Sequence, residues 1–310
     1  MRILITGGAG YIGSMLVVRL FAETHHITVL DNFMYRQMPF NHMCTSQRFE
    51  VVVGDACDIS LLRELVPKAD VVIPLAAIVG APACDHDPDT AWATNVDAIA
   101  TLVNLLRKDQ LLIIPISNSG YGVGERGKEC DEDSPLKPVS LYGRSKVEAE
   151  KMALHHENAV SLRLATVFGM SPRMRLDLMV NNFVYRAVAD RTIVLFEAHF
   201  RRNFIHVRDV ARAFFFALSN VEKMRGKAFN VGLSNANLTK WELCERIATQ
   251  VPNFTFYKGT IGKDPDQRDY HVSNARIEKL GFRPIFSLDD GIAELIKGYR
   301  MLPRLEYANA

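Results

Sequence analysis

The chain has 310 residues, of which 48% are apolar and 23% charged, and its formal net charge is +2. That length supplies one large α/β domain, or one and a half, with ample material for a buried core, and so mild a charge balance, with no long lysine or arginine block, excludes a nucleic-acid partner recruited by electrostatics. No apolar run reaches the eighteen or so residues of a membrane span and the N-terminus enters a strand directly, so the reading is a soluble, cytoplasmic chain with no membrane partner.

Arg2 to Thr6 is a short apolar run that stops at Gly7-Gly8-Ala9-Gly10-Tyr11-Ile12-Gly13, and Ser14 to Ala22 then carries apolar residues at helical spacing. Strand, glycine turn and helix in that order make a dinucleotide-binding turn: Gly7 permits the turn, Gly10 lets backbone approach a pyrophosphate at the helix N-terminus, and Gly13 allows close packing of helix on strand. The next apolar run, Ile27 to Leu30, ends in Asp31. An acidic residue there accepts hydrogen bonds from an adenosine ribose diol and repels a 2′-phosphate, which favours NAD over NADP. The alternative is a structural glycine turn with a solvated aspartate.

Residues 32 to 48 read as an irregular loop over the cofactor edge. Phe49 to Gly54 is a third strand, followed by Asp55 at the adenine edge and by Asp58, which reads as a helix cap. Val71 to Ala77 is a fourth strand running into small residues, Asp89 to Arg107 a long helix, and Leu111 to Ile116 a fifth strand that delivers Ser117 at its C-terminal edge, where parallel α/β sheets hold their ligands. Next comes Tyr142-Gly143-Arg144-Ser145-Lys146, which sets a phenol and an ammonium on one helical face. A free tyrosine has a pKa of roughly 10, and a neighbouring lysine cation favours its phenolate, which makes Tyr142 a candidate base for a sugar hydroxyl. A lone pair at this spacing on an exposed helix is the bland alternative, and the rest of the chain argues against it.

Val160 to Leu164 is a sixth strand, completing the alternation of a doubly wound sheet. Beyond Met170 come Pro172, the loop arginines Arg173 and Arg175, a helix from about Asp177 to Ala189, and the pair Arg201-Arg202. Phe204 to Val207 and a helix from Asp209 to Leu218 read as a return to the main sheet, and Thr239 to Gln250 and Leu288 to Tyr299 as amphipathic helices. Five dispersed cysteines (Cys44, Cys57, Cys84, Cys130, Cys244) without metal spacing fit reduced thiols and no metal site.

With these residues in hand the chain resembles an extended short-chain dehydrogenase/reductase of the nucleotide-sugar epimerase and dehydratase group. The marks are Thr6 to Gly13, Leu75-Ala76-Ala77, Asn95-Val96, Tyr121-Gly122, Tyr142 to Lys146 and Phe204 to Asp209. The resemblance implies a Rossmann-like α/β fold, a doubly wound parallel sheet with a smaller interleaved C-terminal substrate lobe. Residues 1–167 with about 204–232 would bind NAD, and about 168–203 with 233–310 the nucleotide-diphosphate sugar, in a homodimer or higher homo-oligomer. It implies catalysis by Tyr142 with Lys146 and Ser117. Cofactor contacts are implied for Gly7, Gly10, Tyr11, Ile12, Gly13, Asp31, Asn32, Asp55, Ala56, Leu75, Ala76, Ala77 and Asn95, besides Tyr142 and Lys146. Substrate contacts are implied for Ser117, Asn118, Ser119, Thr166, Asn181, Arg202 and Arg268.

The departures narrow the activity. In the 4,6-dehydratases of this group the serine or threonine precedes acidic residues that carry the elimination, whereas Ser117 precedes Asn118-Ser119. Thr166 replaces a usual asparagine, and Lys263, with Arg268 nearby, stands at a late phosphate-binding arginine position. The segments 117–122, 171–177 and 264–270 are similar to GDP-manno-heptose C4 dehydrogenases of bacterial capsule assembly. A 4-epimerase shares nearly every named residue, because its first half-reaction is the same oxidation. An NAD-sensing protein without chemistry is a rival that intact Ser117, Tyr142 and Lys146 argue against.

Overall fold

In the computed structural model, which describes residues 1–125, 127–260 and 267–301, the apolar runs form the strands β1 (Arg2–Thr6), β2 (His26–Asp31), β3 (Phe49–Val53), β4 (Val71–Pro74), β5 (Leu111–Ser117) and β6 (Ala159–Leu164). They lie parallel, and the period of two sends alternate side chains to opposite faces. Ile3 and Ile5 join a core with Leu16, Leu20 and Phe214, while Leu4 between them joins a second core with Leu62, Leu102 and Ala153. Helices therefore cover both faces, which is why these strands are apolar along their length.

Six residues of β6 are buried, and after Ala165 alone the chain re-enters a strand as β7 (Thr166–Phe168). It continues through β8 (Thr192–Leu195), β9 (Arg201–His206), β10 (Lys227–Val231), β11 (Asn237–Thr239) and β12 (Thr255–Lys258). The order in the seven-stranded sheet is β10-β6-β5-β4-β1-β2-β3, so the direction of winding reverses between β1 and β4, where a crevice opens at the strands' C-terminal ends.

The expected return of Phe204 to Val207 to the main sheet does not occur. β9 pairs with β7 (Thr166 opposite Phe204) and with β11 (Asn203 opposite Asn237) in a separate three-stranded sheet, and β10 takes the seventh place beside β6. The Ala165 N–H still donates to Val231 O at 3.0 Å, closing the main sheet, before β7 peels away and takes β9 with it. The expected helix over 89–107 is a helix at Pro88–Trp92, a wide π turn at Ala93–Asp97 and a helix at Ala98–Leu105. No helix among the described residues is long and apolar enough to cross a membrane.

Candidate active site

A cavity of about 860 Å³ occupies the crevice. Its first wall is the glycine turn. Gly7 adopts φ +67°, and a Cβ there would stand 2.4 Å from the backbone nitrogen of Ala76, so only glycine lets the turn meet the segment that follows β4. A Cβ on Gly13 would stand 2.3 Å from the Gly8 carbonyl oxygen, so glycine there lets the helix start close on the turn that follows β1. The helix Tyr11–Ala22 begins at Gly10 with no side-chain cap and no acidic residue in its first turn. Its free N–H groups suit an anion, which is what a dinucleotide's pyrophosphate brings.

Asp31, at the end of β2, faces the cavity and accepts hydrogen bonds from Ala9 N (2.9 Å) and Phe33 N (2.8 Å). Burial pushes its carboxyl above the usual range, opposed by those two N–H groups and by Arg173. Asn32, Asp55, Ala56, Leu75, Ala76 and Ala77 line the same wall, and Asp58 instead caps the helix Ile59–Leu65 through Ser60 N at 2.8 Å.

The reacting end is assembled by β5 and the helix Leu141–Leu154. Ser140 caps that helix through Gly143 N at 3.1 Å. A Cβ on Gly143 would press on Pro138 at 2.9 Å and on the Ser119 carbonyl at 3.1 Å, so glycine allows the helix start to approach the end of β5. Tyr142, Lys146 and Ser117 consequently line one cavity, with Thr166, Arg202 and Arg268. Ser117 Oγ also accepts from Ser119 N at 3.1 Å, fixing the turn that follows.

Burial raises the Tyr142 phenol above its ordinary value; Arg175 first, then Arg268 and the Ser117 hydroxyl, pull it back, and Cys84 adds to the rise. Lys146 is itself buried, which lowers its ammonium from 10.5 to about 8, with Cys84 opposing. In cofactor-free protein the native lysine releases its proton near 8 and the unfolded one near 10.5, so the folded state carries the full cost below about pH 8. Stability is therefore expected to rise with pH between those values. Lys146→Met should lose that rise and be more stable at pH 7 by up to about 3 kcal/mol. Denaturant unfolding at both ends of the window checks this, and a variant less stable at pH 7 with an unchanged pH slope would contradict it.

Four of the expected ligands do not reach the cavity wall. Asn95 is 1% exposed, and its amide holds Ile78 N (2.9 Å), Ile78 O (2.9 Å) and Ser145 Oγ (3.1 Å), because the π turn points it into the scaffold. Asn181 accepts from Gly169 N (3.0 Å) and donates to Tyr11 Oη (3.2 Å) and Arg175 O (2.8 Å). Asn118 and Ser119 are buried in the turn after β5, with Asn118's amide atoms and Ser119 Oγ lacking protein partners. Tyr11 does line the cavity, but its hydroxyl donates to Gly169 O at 2.6 Å and serves the scaffold. Lys263 and residues 264–266 lie outside the described residues.

Arg173, Arg175 and Asp177, named in the sequence without a site role, and Lys240, not singled out there, all line the cavity. Seven basic side chains against three acidic ones line it among the described residues, a surplus suited to ligands carrying diphosphates. The Phe204 to Asp209 motif serves the fold: His206 Nε2 meets Glu294 Oε2 at 2.5 Å, and Asp209 accepts from Ile285 N (3.0 Å) and Phe286 N (2.9 Å).

A family model described as the NAD dependent epimerase/dehydratase family matches residues 3–232. A protein named UDP-glucose 4-epimerase from Mycolicibacterium smegmatis is 30% identical, the match covering 97% of this chain and 99% of that protein. UDP-glucuronic acid decarboxylase 1 from Arabidopsis thaliana is 27% identical over 97% of this chain and 70% of its own length. Among solved structures, DesIV, a dTDP-glucose 4,6-dehydratase from Streptomyces venezuelae with NAD and TYD bound, superposes with a TM-score of 0.84 at 25% identity, covering 97% of each chain.

Proposed function

The chain belongs to the NAD dependent epimerase/dehydratase family, and from that premise we propose that it oxidises C4 of a nucleotide-diphosphate sugar, with Tyr142 as base. The observation that carries the reading is the convergence of Ser117, Tyr142 and Lys146 on one cavity rich in basic side chains. NAD, when bound, supplies the hydride acceptor. The Tyr142 phenolate takes the C4 hydroxyl proton as the C4–H bond breaks, so the alcohol becomes a ketone and the proton stays on Tyr142 Oη. Ser117 orients that hydroxyl, and Lys146 holds the nicotinamide-side ribose. Arg202 and Arg268 grip the sugar nucleotide's diphosphate. Residues 1–167 with about 204–232 serve the cofactor and about 168–203 with 233–310 the sugar nucleotide, in a cytoplasmic homodimer or higher homo-oligomer.

The proposed substrate is GDP-manno-heptose or a related sugar, on the strength of the segments 117–122 and 171–177, and the proposed product is the released 4-keto sugar. A 4-epimerase is the second reading, favoured by the near full-length match to the Mycolicibacterium protein. Elimination of water ranks below both, because Asn118 and Ser119 lack carboxylates and sit off the cavity wall. The test is a panel of GDP-, UDP- and dTDP-sugars given to NAD-loaded enzyme while the absorbance of reduced cofactor is followed. Reduction by a GDP-heptose supports the reading, and silence across the panel removes it.

Asp31 carries a second expectation. NAD(H) should bind at least about tenfold more tightly than NADP(H), since a carboxylate beside a 2′-phosphate adds like-charge repulsion and forfeits the diol's hydrogen bonds. Titration calorimetry giving equal affinities would take Asp31 out of the ribose site.

A further inference from the structure

We propose that Tyr35 and Arg173 form a clasp across the crevice that sets how fast NAD enters and leaves it. The clasp requires a dinucleotide in the crevice and is independent of the sugar chemistry. The Arg173 guanidinium lies over the Tyr35 ring, its central carbon 3.8 Å from the ring centroid, and both residues line the cavity. Arg173 is 1% exposed, so the cation is withdrawn from water, where its attraction to an aromatic face is strongest.

The two residues come from opposite banks. Tyr35 lies in the loop after β2, and Arg173 in the loop after β7, which follows β6 after Ala165 alone. In the main sheet β2 and β6 stand four places apart, with β1, β4 and β5 between them, a separation of roughly 19 Å. A contact between loops that leave those two strands therefore crosses the crevice at the ends of β1 and β4, where the glycine turn lies.

Each bank is tied to a part of the site suited to the dinucleotide. Asp31 accepts from Ala9 N in the glycine turn and from Phe33 N, two residues before Tyr35. Ser171, two residues before Arg173, donates to Tyr11 O at 2.7 Å, and its Oγ lies 2.7 Å from Ser14 Oγ, so that loop is fastened to the first turn of the helix Tyr11–Ala22. Tyr11 Oη donates to Gly169 O on the same loop. One end of the clasp thus stands beside the carboxylate for the adenosine ribose and the other beside the helix N-terminus for the pyrophosphate. The Tyr35 end is strained: Phe33 and Arg36 adopt φ of +49° and +52°, and the Arg36 N–H donates to Phe33 O at 2.8 Å to close the turn. Parting the stack removes one restraint from a turn that stores strain, and the tip relaxes away while Asp31 keeps its own bonds.

The stack joins protein to protein, so it obstructs entry and exit alike. The test is stopped-flow fluorescence of NADH with the full-length protein: mixing gives the association rate, and a chase with excess NAD gives the dissociation rate. Tyr35→Leu keeps bulk and loses the aromatic face; it should raise both rates about tenfold while Kd stays within about threefold. Tyr35→Phe keeps the face and should stay within about twofold of wild type. In an Arg173→Met background Tyr35→Leu should add nothing further, because the two residues act as one contact; if Arg173→Met fails to fold, the two Tyr35 variants decide alone. Faster dissociation with unchanged association would make Tyr35 a direct ligand of NAD and overturn the clasp, as would unchanged rates or a full Tyr35→Leu effect in the Arg173→Met background. No sugar enters the measurement, so a sugar panel that gives no reduction defeats the proposed function while the exchange rates still judge the clasp.

Discussion

Tyr142→Phe is expected to cost a factor of about 100 to 10,000 in turnover while leaving NAD affinity unchanged. The substitution removes one oxygen from the wall of a cavity shaped by the helix Leu141–Leu154 and the end of β5, and neither depends on it: the helix is capped by Ser140 and the strand is paired along its length. What is lost is the acceptor for the C4 hydroxyl proton, and among the described cavity residues Ser117 is a poor substitute because an alcohol is far less acidic than a phenol. Single-turnover absorbance and calorimetry with NAD measure the two halves of the expectation. Turnover within about threefold of wild type at neutral pH would place the proton on another group.

Glu150→Ala is expected to destabilise the protein by about 3 to 5 kcal/mol. Arg163 and Glu150 are 8% and 3% exposed and form a buried pair at 2.8 Å. Arg163 also donates to Tyr121 Oη and to the Glu132 carbonyl, both at 3.1 Å, and Ser161 Oγ donates to Glu150 at 2.5 Å. Burial works against the Arg163 charge, but Glu150 holds its pKa above the ordinary value. Removing the carboxylate leaves a guanidinium buried without its counter-charge, and it unfastens from β6 the helix that carries Tyr142. Denaturant unfolding of the NAD-loaded protein reads the loss. Glu150→Leu combined with Arg163→Met should recover much of it, since apolar replacement of a whole buried pair is often neutral; a loss below about 1 kcal/mol for Glu150→Ala would show that water reaches the pair.

The parts of this site legible in the sequence are those whose chemistry is local. Arg2 to Gly13 reads as strand, turn and helix because glycines, apolar period and helix start lie within one stretch, and Tyr142 and Lys146 share a face by helical spacing alone. Ser117 is placed by the end of an apolar run. What stayed hidden depends on distant partners. Asn181 is expected at the substrate, yet its amide is consumed by Gly169, Arg175 and, across 170 positions, Tyr11. Lys146 shows no sign in the sequence of the burial that lowers its ammonium to about 8. Arg175 lies in an irregular loop with no period to place it, and the two similar apolar runs that become β9 and β10 carry no mark of which sheet each will join.

The central claim is oxidation of a sugar nucleotide with release of the keto product, and the most direct measurement is NMR of the sugar formed from GDP-manno-heptose, with total NADH assayed after the enzyme is denatured. A 4-keto sugar formed with equivalent NADH, or with equivalent reduction of a second substrate such as a small keto acid, is the result expected here. A redox-neutral mixture of C4 epimers would contradict it, promoting the epimerase while leaving the roles proposed for Ser117, Tyr142 and Lys146 in place.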